Sequence, residues 1–118
     1  MLYDLDPEWD SFEIRDVRFS NSMVSESLKE EGFEVCIEEL NDYHLEKILR
    51  HYDPADTIVF NLCETLPGIE CSERKVVEII EGRGFTCTGN TAGVIELSYD
   101  KLRVKECLAS LGIKVPYG

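Results

Sequence analysis

The residues best suited to chemistry lie in polar loops of the second half of the sequence. Asn61 and Glu64 follow an apolar run, Gly89 and Asn90 follow a second, shorter run, and Lys101 opens a helical segment. An Asn side chain both donates and accepts hydrogen bonds, and a glycine lets a ligand approach the backbone closely. Because the loops that follow parallel strands meet at one edge of a sheet, we predict a ligand site there.

Each of these residues also has a simpler explanation. Asn61 either holds a ligand or fixes the following loop, and Glu64 either faces the cleft or is a solvated loop side chain. Asp100 is accounted for as the N-cap of a helix. Lys101 is harder to explain, because the positive end of the helix dipole disfavours a cation in the first turn. A lysine at that place could reach an anion, such as phosphate, held at the helix end.

Apolar periodicity and turn residues predict the elements that position these loops. Strand-like runs alternate with segments of helical spacing, which is typical of a parallel α/β sheet with right-handed crossovers. Strands are predicted at 2–3, 33–37, 57–62 and 85–88. Helices are predicted at 12–31, after Asn41 or Asp42, from 72 or 73 to 82–84, at 92–97, and from Asp100 to 111. The run at 57–62 is continuously apolar, as expected for a strand covered on both faces.

Composition narrows the classes of function. The 118 residues carry a net charge of −12, which argues against a nucleic-acid partner or an anionic membrane surface. Residues 1–56 hold 16 acidic and 5 basic side chains, and we interpret them as a solvated acidic face. No apolar run reaches the ~20 residues that cross a bilayer, and no signal peptide opens the sequence. We therefore expect a cytoplasmic protein whose five cysteines are buried, reduced thiols.

Several common site motifs are missing from the sequence. It has no G-x-G-x-x-G for a dinucleotide, no G-x-x-x-x-G-K-[ST] for a nucleotide phosphate, and no G-x-S-x-G for a hydrolase. A receiver domain would place a phospho-accepting Asp where Asn61 stands. The cysteines and histidines lack the spacing of a zinc site, so no metal ligand is predicted.

Four motifs in order resemble one enzyme family. They are VFNL-x-E-x-x-x-G (59–68), T-G-N (88–90), S-x-D-K (98–101) and G-I-x-V-P (112–116). Together they are similar to the N-terminal domain of D-alanine–D-alanine ligase and its ATP-grasp relatives, and the likeness covers about residues 11–118. The resemblance implies a Rossmann-like, pre-ATP-grasp domain with three layers, in which helices flank a small parallel sheet.

The family resemblance also implies roles for particular residues. Enzymes of this kind use ATP and Mg²⁺ to phosphorylate a carboxylate, and an amine then attacks the acylphosphate. Lys101 matches the family's lysine that reaches ATP phosphate. Glu13, in Ser11-x-Glu13, resembles the carboxylate that holds the ammonium group of the first substrate. The other positions that would line the substrate cleft are Asn61, Glu64, Gly89 and Asn90.

Departures from the family pattern qualify the resemblance. The first strand is cut down to Leu2-Tyr3, the loop H-G-x-x-G-E-D-G is replaced by C-E-T-L-P-G (63–68), and Cys87 stands where an aromatic usually precedes the T-G turn. The motifs therefore leave the substrate, a small amino acid or carboxylate, unidentified. The chain also ends at Gly118, where the ATP-grasp domains are expected to begin.

These observations predict a single pre-ATP-grasp domain over residues 1–118, the substrate-side part of an ATP-dependent carboxylate–amine ligase. Its partners would be C-terminal ATP-grasp domains, which bind ATP and Mg²⁺. No catalytic residue is expected in this chain, and no activity is expected from it alone. The alternative is a stand-alone, non-catalytic binding domain derived from such an enzyme. A truncated first strand at an open sheet edge would also allow a homodimer.

Overall fold

The computed structural model describes residues 1–117. In this part of the chain, helices and strands alternate along most of the sequence, as predicted for an α/β fold. The helices are α1 (Ser11–Glu30), α2 (Leu45–Leu49), α3 (Glu73–Gly82), α4 (Ala92–Ser98) and α5 (Lys101–Ser110). The strands are β1 (Leu2–Asp4), β2 (Glu38–Leu40), β3 (Ile58–Val59) and β4 (Thr86–Cys87).

The four strands form two small parallel sheets. Strand β1 pairs with β2, with Leu2 opposite Glu38, and β3 pairs with β4, with Ile58 opposite Thr86. Parallel pairing requires a crossover between the strands, and α1 and α3 supply it. The described residues therefore form a small α/β domain of five helices and two parallel sheets.

Hydrogen bonds at Leu2 join the two sheets. Its backbone N–H donates to Phe60 O at 2.9 Å, and its carbonyl accepts from Leu62 N at 2.8 Å. Leu2 also forms a parallel bridge with Asn61. The strands thus follow the spatial order β2-β1-β3-β4, with β1 inside. The open sheet edge on which a homodimer through the first strand depended is therefore not found at β1, which pairs on both sides.

Two strands differ from their predicted positions. The second strand was predicted at 33–37 but is formed by Glu38–Leu40, because these are the residues that pair with β1. The third strand was predicted over 57–62 and covered on both faces. Its regular part is only Ile58–Val59, and Ile58 is 62% exposed. Tertiary pairing, rather than the apolar run itself, fixed both outcomes.

Most helices lie where the sequence signals place them, but neither Asn41 nor Asp42 caps α2. This helix begins at Leu45 after His44, and Asp42 Oδ1 instead accepts from His44 N at 2.7 Å in the turn before it. Asp10 caps α1 by accepting from Phe12 N and Glu13 N, and the Glu13 carboxylate accepts from Asp10 N, which completes a capping box. Asp100 caps α5 as predicted, by accepting from the N–H groups of Leu102 and Arg103. Local capping chemistry therefore sets where both helices begin.

The core lies where α2 and α3 cover the sheets. Its members come from all four strands or the loops beside them and from both helices, and they are almost completely buried: Leu2, Leu40, Leu45, Leu49, Val59, Cys63, Leu66, Val76, Ile80 and Phe85. A second, smaller cluster joins α3 to α4 through Val77, Ala92 and Ile95. The two faces of α3 are thus both used, one toward the sheets and one toward α4.

Two further predictions concern membrane-spanning segments and the burial of the cysteines. No helix formed by residues 1–117 is long and apolar enough to cross a membrane. All five cysteines are free thiols, but Cys36, Cys71 and Cys107 are exposed, so the expectation that all are buried is wrong.

Candidate functional site

A pocket of about 310 Å³ lies beyond the carboxyl ends of β3 and β4. Its polar lining comes from the loops after these strands and from the first residue of α3, namely Asn61, Glu64, Glu73, Thr88, Gly89 and Asn90. Its apolar lining consists of Leu62, Cys63, Val77 and Ile95. This is the sheet edge at which the sequence predicted a ligand site, and we call the hollow the strand-end pocket.

Asn61 connects the two strand ends. Its backbone N–H donates to Thr88 Oγ1 at 2.9 Å, and its side-chain Oδ1 accepts from Cys63 N at 3.0 Å. Thr88 N in turn donates to Val59 O at 3.0 Å. Asn61 therefore fixes the next loop, as one of its two interpretations predicted. Its oxygen is engaged in that task, which leaves the Nδ2 amino group as the donor that it offers to a ligand.

Glu64 is held by a residue that sequence reasoning missed. Its backbone N–H donates to Asp4 Oδ1 at 2.9 Å, and the hydroxyl of Thr65 donates to Asp4 Oδ2 at 3.1 Å. Asp4 ends β1, so one carboxylate ties the loop after β3 to the neighbouring strand. The backbone is anchored while the Glu64 carboxylate stays exposed beside the pocket. An acid at the end of a strand, in the sequence L-Y-D, was the available signal.

Gly89 and Asn90 form the opposite wall. Gly89 has φ of +92°, a backbone conformation that side-chain-bearing residues rarely adopt, and a Cβ placed there would meet no atom within 4 Å. The turn leads directly into α4, whose N-cap Thr91 accepts from Val94 N at 3.4 Å. The glycine therefore sets the chain direction that brings Asn90 to the pocket.

The Cys63 thiol is structural rather than reactive. It is 4% exposed and donates from Sγ to Thr65 O at 3.1 Å. Burial, followed by the negative charge of Asp4, raises the pKa of this thiol far above its usual range. Since the thiolate is the nucleophilic form, Cys63 supplies apolar lining and no nucleophile.

Two of the six predicted site residues do not line the pocket. Glu13 is an exposed residue whose carboxylate accepts from Asp10 N at 2.8 Å within the capping box. Lys101 is exposed in the first turn of α5, where Asp100 caps the helix. The structure thus brings together Asn61, Glu64, Gly89 and Asn90 and leaves Glu13 and Lys101 outside their pocket.

The charge of the pocket favours a cationic ligand group. Glu64 and Glu73 are the lining residues that carry charge, and both are acidic. The hydroxyl of Tyr99 donates to Glu73 Oε2 at 3.4 Å, which directs that carboxylate. Two carboxylates, two carboxamides and a hydroxyl suit an ammonium group together with hydrogen-bonding atoms. Within residues 1–117, no group of three or more His, Cys, Asp or Glu side chains is placed to hold a metal ion.

A larger hollow of about 460 Å³ lies between α2 and α3. Its charged lining residues are of both signs, and Arg83 is already paired with Glu46 at 3.1 Å. None of the predicted site residues lines it. The strand-end pocket is therefore the better candidate site, although it is smaller, because the predicted polar residues line it.

Comparison with known proteins adds no relative. Neither the family models, nor the curated proteins, nor the solved structures yield a match to this chain.

Proposed function

We propose that this chain is the substrate-side domain of an ATP-dependent carboxylate–amine ligase related to D-alanine–D-alanine ligase. The observation that carries the proposal is the strand-end pocket, because four of the six residues chosen from the sequence line it. In this role the pocket holds a small amino acid, and its two carboxylates face the ammonium group. The partner domains would bind ATP and Mg²⁺.

The spatial strand order supports a Rossmann-like, pre-ATP-grasp fold for the domain. Strands β2-β1-β3-β4 are all parallel, and the order reverses direction between β1 and β3. Doubly wound sheets bind their ligands outside the carboxyl ends of the strands near such a reversal. The strand-end pocket lies outside the carboxyl ends of β3 and β4. The reversal is next to it, since Asp4 at the end of β1 accepts from Glu64 N in the loop that lines the pocket.

A titration of the ¹⁵N-labelled chain followed by NMR tests the binding step. The panel of ligands is glycine, D-alanine and L-alanine. We expect at least one of them to shift the backbone amide resonances of Asn61, Gly89 and Asn90. Propionate, which lacks the ammonium group, should shift them much less. The variant Asn90→Ala should weaken binding, while Lys75→Ala, in the other hollow, should not. Shifts confined to the other hollow, or no shift with any member, would contradict the binding role.

Lys101 gives a separate test of the ligase role. Its exposed position outside the pocket is compatible with contact to a phosphate held by other domains. In the ligase that joins this domain to its ATP-grasp domains, Lys101→Ala should abolish ligation and leave amino-acid binding at the pocket intact. Normal turnover by that variant would refute this role. Amino-acid binding without any ATP-dependent ligation would instead favour the stand-alone binding domain.

A further inference from the structure

The strand-end pocket has an apolar floor and a polar rim. The floor consists of core side chains that are almost completely buried, those of Cys63, Val77 and Ile95. The rim includes Glu64 and Glu73, which are exposed to solvent. A ligand that enters therefore meets polar groups at the opening and hydrocarbon below them. This arrangement suits a molecule with a polar end and an apolar side chain.

The charge at the rim suits an ammonium group and opposes a carboxylate. Glu64 and Glu73 are both acidic, and among residues 1–117 no Lys, Arg or His side chain lines the pocket. Arg74, which follows Glu73 in the sequence, is engaged elsewhere, since it pairs with Glu78 at 2.6 Å. Glu73 also lies in the first turn of α3, where its charge offsets the positive end of the helix dipole. A carboxylate on the ligand would therefore face like charge.

Asn61 supplies a hydrogen-bond donor for an uncharged carbonyl group. Its Oδ1 already accepts from Cys63 N at 3.0 Å, so Nδ2 is the polar atom that it offers to a ligand. An amide carbonyl accepts such a bond without bringing negative charge beside the two carboxylates of the rim. The carboxyl group of an amino acid is uncharged in this way when it is in amide linkage, as in the first residue of a peptide.

We propose that the strand-end pocket binds an α-amino amide with an apolar side chain, the chemistry of the first residue of a peptide, in preference to a free amino acid. The ammonium group faces Glu64 and Glu73, the amide carbonyl accepts from Asn61 Nδ2, and the side chain packs against Val77 and Ile95. This inference rests on the proposed function, in which the pocket holds the amino substrate, and it specifies the class of that substrate.

NMR titration of the ¹⁵N-labelled chain with leucinamide, leucine and glycinamide tests the preference for an amide. At about pH 6, below the ~7.7–8.0 pKa of an α-amino group, all three amines are protonated. In the enantiomer that the pocket accepts, leucinamide should bind about 3–10-fold more tightly than leucine, because it brings no carboxylate beside two exposed acids. It should bind about 10-fold more tightly than glycinamide, which lacks the apolar side chain. Leucine that binds as tightly as leucinamide would overturn the proposal.

The variant Asn61→Asp isolates the contact with the carbonyl group. Aspartate keeps an oxygen that accepts from Cys63 N and lacks the Nδ2 donor. The reference ligand is 3-methylbutylamine, which has the ammonium group and side chain of leucinamide but no carbonyl. The affinity for leucinamide relative to that for 3-methylbutylamine should fall about 5-fold in the variant, the effect of one hydrogen bond. An unchanged ratio would show that Asn61 does not bind the carbonyl.

Neutralising the rim tests the source of the discrimination against a carboxylate. In the double variant Glu64→Gln, Glu73→Gln, leucine and leucinamide should bind with nearly equal affinity, because the like charges that oppose leucine are gone. Glu78→Gln is the matched control, since Glu78 lies on α3 but lines the other hollow. It should keep the preference for leucinamide. A preference that survives in the double variant would contradict the assigned role of the two carboxylates.

The inference and the proposed function fail in different ways. If free amino acids bind at the strand-end pocket at least as tightly as their amides, the inference is wrong and the proposed function stands. If neither amides nor free amino acids shift the backbone amide resonances of Asn61, Gly89 and Asn90, the binding role in the proposed function is wrong as well.

Discussion

Two serine side chains are almost completely inaccessible, and their hydroxyl groups differ in what they contact. Ser72, 1% exposed, accepts from Leu66 N at 2.6 Å and donates to Ile69 O at 2.6 Å, so it closes the loop before α3. Ser25 in α1 is 0% exposed, and its oxygen has no hydrogen-bond partner among the described residues. One hydroxyl satisfies a buried backbone N–H, and the other only loses its hydration.

The two serines therefore predict opposite effects of the same substitution. Ser72→Ala should lower the free energy of unfolding by about 1–3 kcal/mol, because it leaves the buried Leu66 N–H unsatisfied. Ser25→Ala should be neutral or stabilising, since it removes an unpaired buried hydroxyl. Urea unfolding of both variants measures the difference. Equal destabilisation by the two substitutions would show that the Ser72 hydrogen bonds add nothing.

Gly89 and Gly93 form a second matched pair. A Cβ added at either position meets no atom within 4 Å, but only Gly89 has a positive φ, +92°. Gly89→Ala should cost about 1–2 kcal/mol from backbone strain alone. Gly93→Ala, within α4, should stabilise by about 0.5–1 kcal/mol. Thermal unfolding reports both signs, and a stable Gly89→Ala variant would mean that the pocket turn adopts another conformation.

At this scale the sequence predicted the residues whose role is local and missed one whose role is long-range. Asn61, Gly89 and Asn90 line the pocket because they follow strand ends. The apolar runs directly before them in the sequence are enough to predict that position. Asp4 acts on a loop sixty residues away, which only the pairing of β1 with the rest of the sheet brings near. Glu13 was chosen by resemblance alone, and the capping box of α1 accounts for it. Lys101 was chosen both by resemblance and from its place in the first turn of α5, and it lies outside the pocket.

At the scale of elements, one carboxylate fastens α1 to the sheet. Glu39 in β2 accepts from Arg18 Nε and Nη2, each at 2.7 Å, and from the Tyr3 hydroxyl at 2.6 Å. Hydrogen bonding from Arg18 lowers the pKa of Glu39 below its ordinary value of 4.5. Burial and the bond to Glu39 raise the pKa of Tyr3 to about 12, so the phenol remains a donor at neutral pH.

The lowered pKa of Glu39 gives stability a definite pH dependence. Its contribution is complete above pH 4.5, the ordinary value, and is lost as the pH falls through the depressed value in the folded protein. The free energy of unfolding lost between pH 7 and pH 3 should therefore be smaller for Glu39→Gln than for the unaltered chain. Glu78→Gln, which removes an exposed pair with Arg74 inside α3, is the control. A loss as large in Glu39→Gln as in the control would contradict the role of Glu39.

Helices and strands also differ in how well the sequence located them. The starts of α1 and α5 are set by Asp10 and Asp100, whose capping bonds span only three residues. The position of β2 depends instead on which residues pair with β1. The apolar run at 33–37, just before β2, does not indicate which residues these are. Helix capping can be predicted from neighbouring residues, whereas the register of a strand depends on a partner strand that is distant in the chain.

For the whole molecule, the main electrostatic feature is an uneven negative charge. Residues 1–56 carry 16 acidic and 5 basic side chains, whereas the remainder carries 8 and 7. Like charges held together in a folded domain repel one another, and this repulsion lowers stability. Salt screens it, with a Debye length near 10 Å at about 0.1 M. Sodium chloride should therefore raise the free energy of unfolding from its value at low ionic strength.

Two exposed positions, one in each half, test whether repulsion is concentrated in the acidic half. Glu34→Lys changes the net charge from −12 to −10, and Lys114→Glu changes it to −14. At low salt the first should stabilise and the second destabilise, each by about 0.5 kcal/mol or less, as is typical of surface changes. Because Glu34 lies among many more acids, its effect should be the larger, and salt should reduce both. Effects of equal size, or of the same sign, in urea titrations at low salt would show that the local excess of acids does not govern stability.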